Sequence, residues 1–379
     1  MKNGLIYKGH EFGDWLALDQ EVMSTETIKG RTDPYYITNI FQVNDLKILM
    51  EIAKILNKEE DEILYRQKYE TMLTKVREEY FTLSGKLCYD TITAQVLALY
   101  FDIVPSQFKE KLAKELNDNM IKHCYEVVTG FIGTTFLLFT LTDNGYFETA
   151  RRVLLNNAYP VWLYEVDMGA TTIWERWNSL MPDGSPNPDG MNSYNHYAYG
   201  SVLDFISKRI AGLRPITPGY KFVEIAPHPY KGLSNIKSEF NSISDKFIVE
   251  YKQSDGKITY IFDIPNGVKT KIKLPNEDED IVNEGHYEFV RNQENLSQMI
   301  FNEESIVDEI FRNPKAQKVF NIVFDNLFSG NEIAWMRNCT LQFVAEVRAK
   351  EDKMILEEFP SMLEKANKLF IEEINPFLN

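Results

Sequence analysis

The sequence has only three cysteines and no apolar run of about 18 residues, the length that a transmembrane helix needs. Cys88, Cys124 and Cys339 stand far apart and show neither CxxC nor Cys/His ligand spacing, so neither a disulfide framework nor a zinc site is predicted. Residues 1–15 lack the apolar segment of an export signal. We therefore expect buried free thiols, a cytoplasmic location, no membrane partner, and no metal or other cofactor.

The sequence also has fewer basic than acidic side chains, 41 against 56, which gives a net charge of −15. This balance argues against nucleic acid as a partner. Residues 277–379 hold 21 acidic and 10 basic side chains, so most of the negative charge belongs to the C-terminal quarter. The remaining composition, with 44% apolar and 13% aromatic residues over 379 positions, is typical of a globular protein of two or three domains.

Apolar residues at spacings of three and four predict a series of amphipathic helices up to about residue 212. The first is expected at 44–56, after an Asn44 or Asp45 cap, with an apolar stripe formed by Leu49, Ile52, Ala53 and Leu56. The others are expected at 61–81, 91–101, 106–122, 131–141, 145–156 and 198–210.

The period changes to two after this region. Residues 247–251, 258–264 and 268–274 alternate apolar and polar positions, and Asn266-Gly267 is a favoured hairpin turn between the last two. We predict an antiparallel meander that the acidic residues 276–280 bring to an end. Helical spacing returns over 291–379, including Leu296, Met299 and Ile300 and a last long helix at about 351–374.

Tryptophan and the charged or polar residues that commonly form binding sites are most concentrated between residues 159 and 200. Three of the five tryptophans lie there. Sugars bind to such regions because aromatic rings pack on the apolar face of a pyranose and polar side chains bind its hydroxyls. Glycoside hydrolysis also needs two carboxyl groups. Glu175 is the best single candidate, with Trp174, Arg176 and Trp177 around it. The same cluster could equally be a semi-buried ion pair among core tryptophans, and His196 could be a structural histidine.

The runs GATTIWERWNSLMPDG (169–184) and MNSYNHYAYGSV (191–202) resemble the signature of bacterial α-L-rhamnosidases of glycoside hydrolase family 78. The resemblance extends over FGDWLA (12–17), TAQVLAL (93–99), TGFIGT (129–134) and YPVWLYEVDMGAT (159–171), and into AGLRPITPGYKFVEIAPHP (211–229). It covers about residues 1–275 in the family's order.

The resemblance implies roles for individual residues. Glu175 would be the general base that activates water, and His196 a residue of the sugar pocket. Trp15 and Trp177 would form walls against the sugar ring. Asp14 of the same FGDW segment is placed with the substrate-binding residues; apart from the resemblance, an acidic residue beside a Trp could also act as a substitute acid. Arg176 and Asn195 would hold Glu175 and the loop that follows it.

The fold class that the resemblance implies is mainly α with a β-sandwich. Residues 1–212 would form the later part of an (α/α)6 toroid, 213–285 a C-terminal antiparallel β-sandwich, and 286–379 an acidic helical module. Family members carry the general acid ahead of the segment that matches FGDW, so we expect this chain to be a fragment that lacks it. Apolar stripes left uncovered would then favour self-association or assembly with a missing N-terminal catalytic half.

The function implied is an inverting glycoside hydrolase that releases terminal α-L-rhamnose from plant glycosides or polysaccharides, with a rhamnose-containing carbohydrate as its partner. Two alternatives stay open. The chain could be catalytically inactive and bind sugar weakly, through Trp15, Trp177 and His196. It could also be another (α/α)6 glycosidase that acts on a different sugar.

Overall fold

The chain divides into two compact units, Met1–Ser201 and Val202–Asn379. The computed structural model describes residues 4–20, 28–230, 233–254, 256–292, 301–311, 313–324, 336–350 and 352–374. The first unit is helical, and the second consists of a short helical segment, two sheets and then further helices.

The first unit opens with a long helical hairpin, α1 (Pro34–Ile55) and α2 (Glu59–Tyr80). The prediction of a start at Asn44 or Asp45 is wrong, because Asp33 caps the helix by accepting the backbone N–H groups of Tyr35 and Tyr36. Pro34 favours the first helical position, where its missing N–H costs nothing.

The following helices are shorter: α3 (Ile92–Tyr100), α4 (Lys109–Lys122), α5 (Phe131–Asp143), α6 (Phe147–Leu155) and α7 (Trp162–Asp167). α3 packs on both α4 and α5, and α5 packs on α6. The residues of α3 from Ile92 to Leu99 are all buried, so this helix lies at the centre of the unit. A 3-10 turn, Ala198–Ser201, ends the unit.

The predicted apolar stripe of α1 is largely uncovered. Ala53 is buried, but Leu49, Ile52 and Leu56 are 39%, 45% and 61% exposed, and Ile55 beside them is 73% exposed. A monomeric protein rarely leaves so many neighbouring apolar side chains in water.

The second unit starts with α8 (Val202–Phe205) and a π-helical turn (Ile206–Ile210). Its first sheet has the order β1 (Leu213–Pro215), β2 (Phe222–Ile225), β6 (Lys269–Ile272) and β7 (Asp280–Val282). Its second sheet has the order β3 (Asn235–Ser242), β4 (Asp245–Ser254), β5 (Lys257–Ile264) and β8 (Gly285–Asn292).

The predicted meander is wrong at its last step. Instead of returning on β5, the chain passes Asn266-Gly267 and enters the other sheet, where β6 pairs in parallel with β2. The place beside β5 is taken by β8, which pairs with it along its whole length. Because β8 runs to Asn292, the sheets also continue past the boundary predicted at residue 285.

Helices follow the sheets: α9 (Val307–Phe311), α10 (Pro314–Val323), α11 (Leu341–Arg348) and α12 (Met354–Ile374). α10 packs on α12, and buried aromatic rings fill the space between them. The predicted helical residues Leu296, Met299 and Ile300 lie outside the described residues.

The expectation of buried free thiols is wrong. Cys88 is free but exposed, and Cys124 and Cys339 are in disulfide form. Among the described helices, none combines the length and the apolar character that a membrane span requires.

Candidate functional site

Backbone hydrogen bonds pair the segment that carries Glu175 with the segment that carries His196. The Glu175 N–H donates to the Ser193 carbonyl at 2.8 Å, and the His196 N–H donates to the Ile173 carbonyl at 2.9 Å. The Ser193 N–H also donates to Oε2 of the half-buried Glu175 carboxyl, at 3.2 Å. The other oxygen, Oε1, accepts no hydrogen bond from any residue that the structure describes, so it is free for a water or a ligand.

Contacts between its two ends stabilise the loop that connects these segments, residues 176–192. The Arg176 guanidinium donates to the Gly190 carbonyl at 3.1 Å and lies 3.8 Å from the exposed Asp189 carboxylate. Arg176 is therefore a residue of the loop, and its predicted contact with the Glu175 carboxyl is not formed. The exposed Asn195 takes part only through its backbone, which hydrogen-bonds the Ser193 hydroxyl, so its predicted hold on Glu175 is not formed either.

The tautomer of His196 follows from one contact. Its Nδ1 accepts the backbone N–H of Ala198 at 3.3 Å, so the proton of the neutral ring is on Nε2. The ring packs on Phe131, with centroids 5.0 Å apart, and stacks on Tyr197 at 5.2 Å. His196 is thus a half-buried ring with one N–H donor left for a ligand.

Phe131 connects His196 to the FGDW segment. Its N–H donates to the Trp15 carbonyl at 2.9 Å, at the start of α5. Trp15 is half-buried, and the exposed Phe12 packs against it edge to face, with centroids 5.8 Å apart. The residues predicted from sequence did not include Phe131, although it lies in the TGFIGT run.

Asp14 does not lie where a sugar could reach it. Its carboxyl is 1% exposed, with Oδ2 accepting from the Thr93 hydroxyl at 2.5 Å and from the Gly130 N–H at 2.8 Å, and Oδ1 accepting from the Gly133 N–H at 2.9 Å. Burial raises the pKa of Asp14 to about 6, although these three hydrogen bonds lower it. Asp14 caps α5, which replaces its predicted roles in substrate binding and as a substitute acid.

Trp177 is a core residue and not a wall of the site. It is 1% exposed, stacks on Tyr199 at 3.9 Å, and meets Trp162 edge to face at 5.3 Å. The predicted sugar contact of Trp177 is therefore wrong, because its side chain is buried against Tyr199 and Trp162.

Glu165 is a second acidic residue at this site that the sequence left without a role. It is 2% exposed in α7, and its Oε2 accepts the N–H of Trp174, the residue before Glu175, at 3.2 Å. Burial raises the pKa of Glu165 to about 8, and the hydrogen bond from Trp174 lowers it. Its position within the aromatic run 159–177 was the only sequence signal.

Comparison with known proteins identifies the family of this chain. The model of the bacterial α-L-rhamnosidase six-hairpin glycosidase domain matches residues 2–210, and that of the bacterial α-L-rhamnosidase C-terminal domain matches residues 212–289. An α-L-rhamnosidase of Streptomyces avermitilis is 31% identical over 293 residues, and one of Formosa agariphila is 31% identical over 268 residues. These alignments cover 76% and 70% of this chain, but only 27% and 28% of the two relatives.

Solved structures give the same assignment. The α-L-rhamnosidase of Aspergillus terreus is 28% identical with a TM-score of 0.72, over 76% of this chain and 34% of its own. The Streptomyces avermitilis α-L-rhamnosidase complexed with L-rhamnose is 29% identical with a TM-score of 0.67, over 74% of this chain and 28% of its own. They confirm the predicted fold class, a helical glycosidase domain followed by a sheet domain. Because the six-hairpin model covers more than half of the sequence, this chain belongs to the bacterial α-L-rhamnosidase six-hairpin glycosidase family.

Proposed function

We propose that this chain carries the later part of the catalytic domain of an inverting α-L-rhamnosidase, which releases terminal α-L-rhamnose from glycosides or polysaccharides. The observation that carries the proposal is the Glu175 carboxyl, which has one oxygen free and lies on a segment paired with that of His196. Relatives of this chain are α-L-rhamnosidases, and a solved relative is complexed with L-rhamnose.

Glu175 would act as the general base. A water molecule on Oε1 would lose its proton to the carboxylate as its oxygen forms a bond to the anomeric carbon of rhamnose. The bond from that carbon to the glycosidic oxygen would break on the opposite face, which inverts the configuration. The hydrogen bond from the Ser193 N–H to Oε2 fixes the carboxylate and leaves Oε1 for the water.

The remaining groups bind the sugar. The Nε2–H of His196 would donate to a rhamnose hydroxyl, because Nδ1 is occupied by the Ala198 N–H. Trp15 and Phe131 are half-buried aromatic side chains joined by a backbone hydrogen bond, and they would pack on the apolar face of the ring.

The general acid is proposed to come from polypeptide outside this sequence, since Asp14, the acid of the FGDW segment, is occupied as a helix cap. The uncovered stripe of α1 is proposed to pack on the helices that supply it. This proposal has two supports: the exposure of Ile52, Ile55 and Leu56, and the small share of each relative that the chain covers.

The proposed role of Glu175 as general base can be tested separately from the general acid, with a substrate whose leaving group is activated. The leaving group of 2,4-dinitrophenyl α-L-rhamnoside needs no proton, so its hydrolysis does not depend on a general acid. We expect measurable turnover by this chain and a loss of about 100-fold or more in Glu175→Gln. Asp167→Asn, which changes an exposed acid at the end of α7, serves as the control and stays within threefold.

The other functions predict different results. An inactive chain would hydrolyse neither this substrate nor a less activated aryl rhamnoside. A different toroidal glycosidase would prefer another sugar in a panel of dinitrophenyl glycosides. Turnover of the rhamnoside that survives in Glu175→Gln would remove Glu175 from the mechanism.

A further inference from the structure

The segment that carries Glu175 is bound on two sides. On one side, the carbonyl of Ile173 and the N–H of Glu175 bind the segment of Ser193 and His196. On the other side, the N–H of Trp174 binds Oε2 of Glu165. Trp174 is the one residue between Ile173 and Glu175, so Glu165 binds the backbone directly ahead of the proposed base.

The surroundings of Glu165 contain no ionic partner among the described residues. Its neighbourhood is aromatic, since it binds the N–H of Trp174, which is 3% exposed, and lies near the fully buried hydroxyl of Tyr199, whose pKa an ionised Glu165 would raise. Oε1 of Glu165 and the hydroxyl of Tyr199 are both buried without a hydrogen-bond partner in the described part of the chain. A carboxylate in such a place is costly, whereas a neutral carboxylic acid keeps its carbonyl acceptor at a lower cost.

We propose that Glu165 is a positioning residue for Glu175, acting as a neutral carboxylic acid that anchors the Trp174 N–H from behind the site. The proposal rests on the function proposed for Glu175. Being uncharged, the anchor adds no second negative charge behind the base. The pKa of Glu165, raised to about 8 by burial, agrees with a protonated group at neutral pH.

Three variants separate this role from general packing. Glu165→Gln keeps the size and a carbonyl acceptor without the titrating proton, Glu165→Met keeps an unbranched side chain but removes the acceptor, and Asp167→Asn is the control. For 2,4-dinitrophenyl α-L-rhamnoside, we expect kcat within threefold of the parent in Glu165→Gln and at least tenfold lower in Glu165→Met. KM should stay within twofold in both, because His196, Trp15 and Phe131 are untouched.

Amide hydrogen exchange tests the contact without any activity. The Trp174 amide should exchange at least tenfold faster in Glu165→Met than in the parent, and at the parent rate in Glu165→Gln and Asp167→Asn. The proposal is overturned if Trp174 stays equally protected in Glu165→Met, or if a folded Glu165→Gln loses both protection and kcat. It is overturned as well if kcat is unchanged in Glu165→Met.

The exchange result also separates the two proposals. If the parent hydrolyses no rhamnoside, the function proposed for Glu175 fails and the catalytic part of this inference fails with it. Faster hydrogen exchange of the Trp174 amide in Glu165→Met would then still show that Glu165 holds the Trp174 N–H. If Glu165→Met does not fold, Glu165→Gln alone tests the proposal. The proposal requires this variant to keep both the parent's exchange rate at the Trp174 amide and its kcat.

Discussion

At the residue scale, Gly130 is the position where the FGDW segment and α5 come closest. A Cβ at Gly130 would lie 2.3 Å from the Trp15 carbonyl oxygen and 2.4 Å from that of Asp14, both of them backbone atoms. The same segment receives the Phe131 N–H, and Asp14 caps the helix. Gly130 of TGFIGT therefore allows a close approach that places Trp15 and Phe131 together.

Gly130→Ala tests this approach. We expect it to lower the free energy of unfolding by about 1–3 kcal/mol, because the backbone of Trp15 must move. Gly200→Ala is the control, since a Cβ there meets no atom within 4 Å, and we expect it to be close to neutral. Urea denaturation of both variants gives the comparison, and equal midpoints would contradict the argument.

His196 gives a prediction about the sugar. Replacing it with Leu removes the proposed Nε2–H donor, and we expect the affinity for L-rhamnose to fall about tenfold, the value of one such hydrogen bond. Asn195→Ala should leave the affinity unchanged, since the side chain of Asn195 is exposed and only its backbone is bonded. Isothermal titration of L-rhamnose into the parent, His196→Leu and Asn195→Ala measures these affinities. An equal loss of affinity in Asn195→Ala would contradict the role of His196 as hydrogen-bond donor to the sugar.

The sequence predicted some of these residues and not others, for a physical reason. Glu175 and His196 are recognisable because both lie in local motifs, and the two motifs pair directly. The burial of Trp177 depends on stacking with Tyr199, a contact that local patterns do not contain. The capping role of Asp14 depends in the same way on Gly130 and Gly133, which are distant in sequence.

At the element scale, the helices were predictable because their apolar spacing is local, as α2, α4 and α5 show. The sheet was harder, because the strands β5 and β6 alternate correctly but belong to different sheets. A turn sequence such as Asn266-Gly267 sets a local bend and does not specify the partner strand. β5 pairs with β8, which lies far from it in the sequence, and the alternation of apolar and polar residues does not predict which strands pair.

The uncovered stripe of α1 predicts the behaviour of the isolated chain. Exposed Ile52, Ile55 and Leu56 should drive concentration-dependent self-association when the proposed covering helices are absent. The double variant Ile52→Lys/Leu56→Lys should shift the chain towards the monomer, whereas Glu70→Lys on the exposed face of α2 should not. Sedimentation velocity at several concentrations measures this, and a parent chain that stays monomeric would contradict the proposed packing face.

At the scale of the whole molecule, the surplus charge and the site lie in different units. Residues 277–379, which hold most of the net negative charge, belong to the second unit, whereas Glu175 and His196 belong to the first. The first unit instead contains carboxyl groups whose pKa values are raised by full or partial burial. Burial raises the pKa of Asp14 to about 6, of Glu126 to about 7 and of Glu165 to about 8.

These groups set the sign of the pH dependence of stability. A carboxyl whose pKa is higher in the folded than in the unfolded chain stabilises the fold fully below its unfolded pKa, and this contribution is lost as pH rises through the folded value. The carboxyls therefore favour folding at pH 5–6 over pH 8–9. His228 opposes this, because burial lowers its pKa and its contribution is lost as pH falls below about 6.5.

Glu165→Gln isolates one of these contributions. Between pH 6 and pH 8.5, ionisation of Glu165 should cost the parent about 2 kcal/mol of unfolding free energy, which the amide variant cannot lose. The parent should thus destabilise more steeply than Glu165→Gln over this range, while Asp167→Asn follows the parent because Asp167 is exposed. Urea denaturation at both pH values provides the measurement. Parallel slopes for the parent and Glu165→Gln would mean that Glu165 is already ionised at pH 6, which would also remove the neutral anchor behind Glu175.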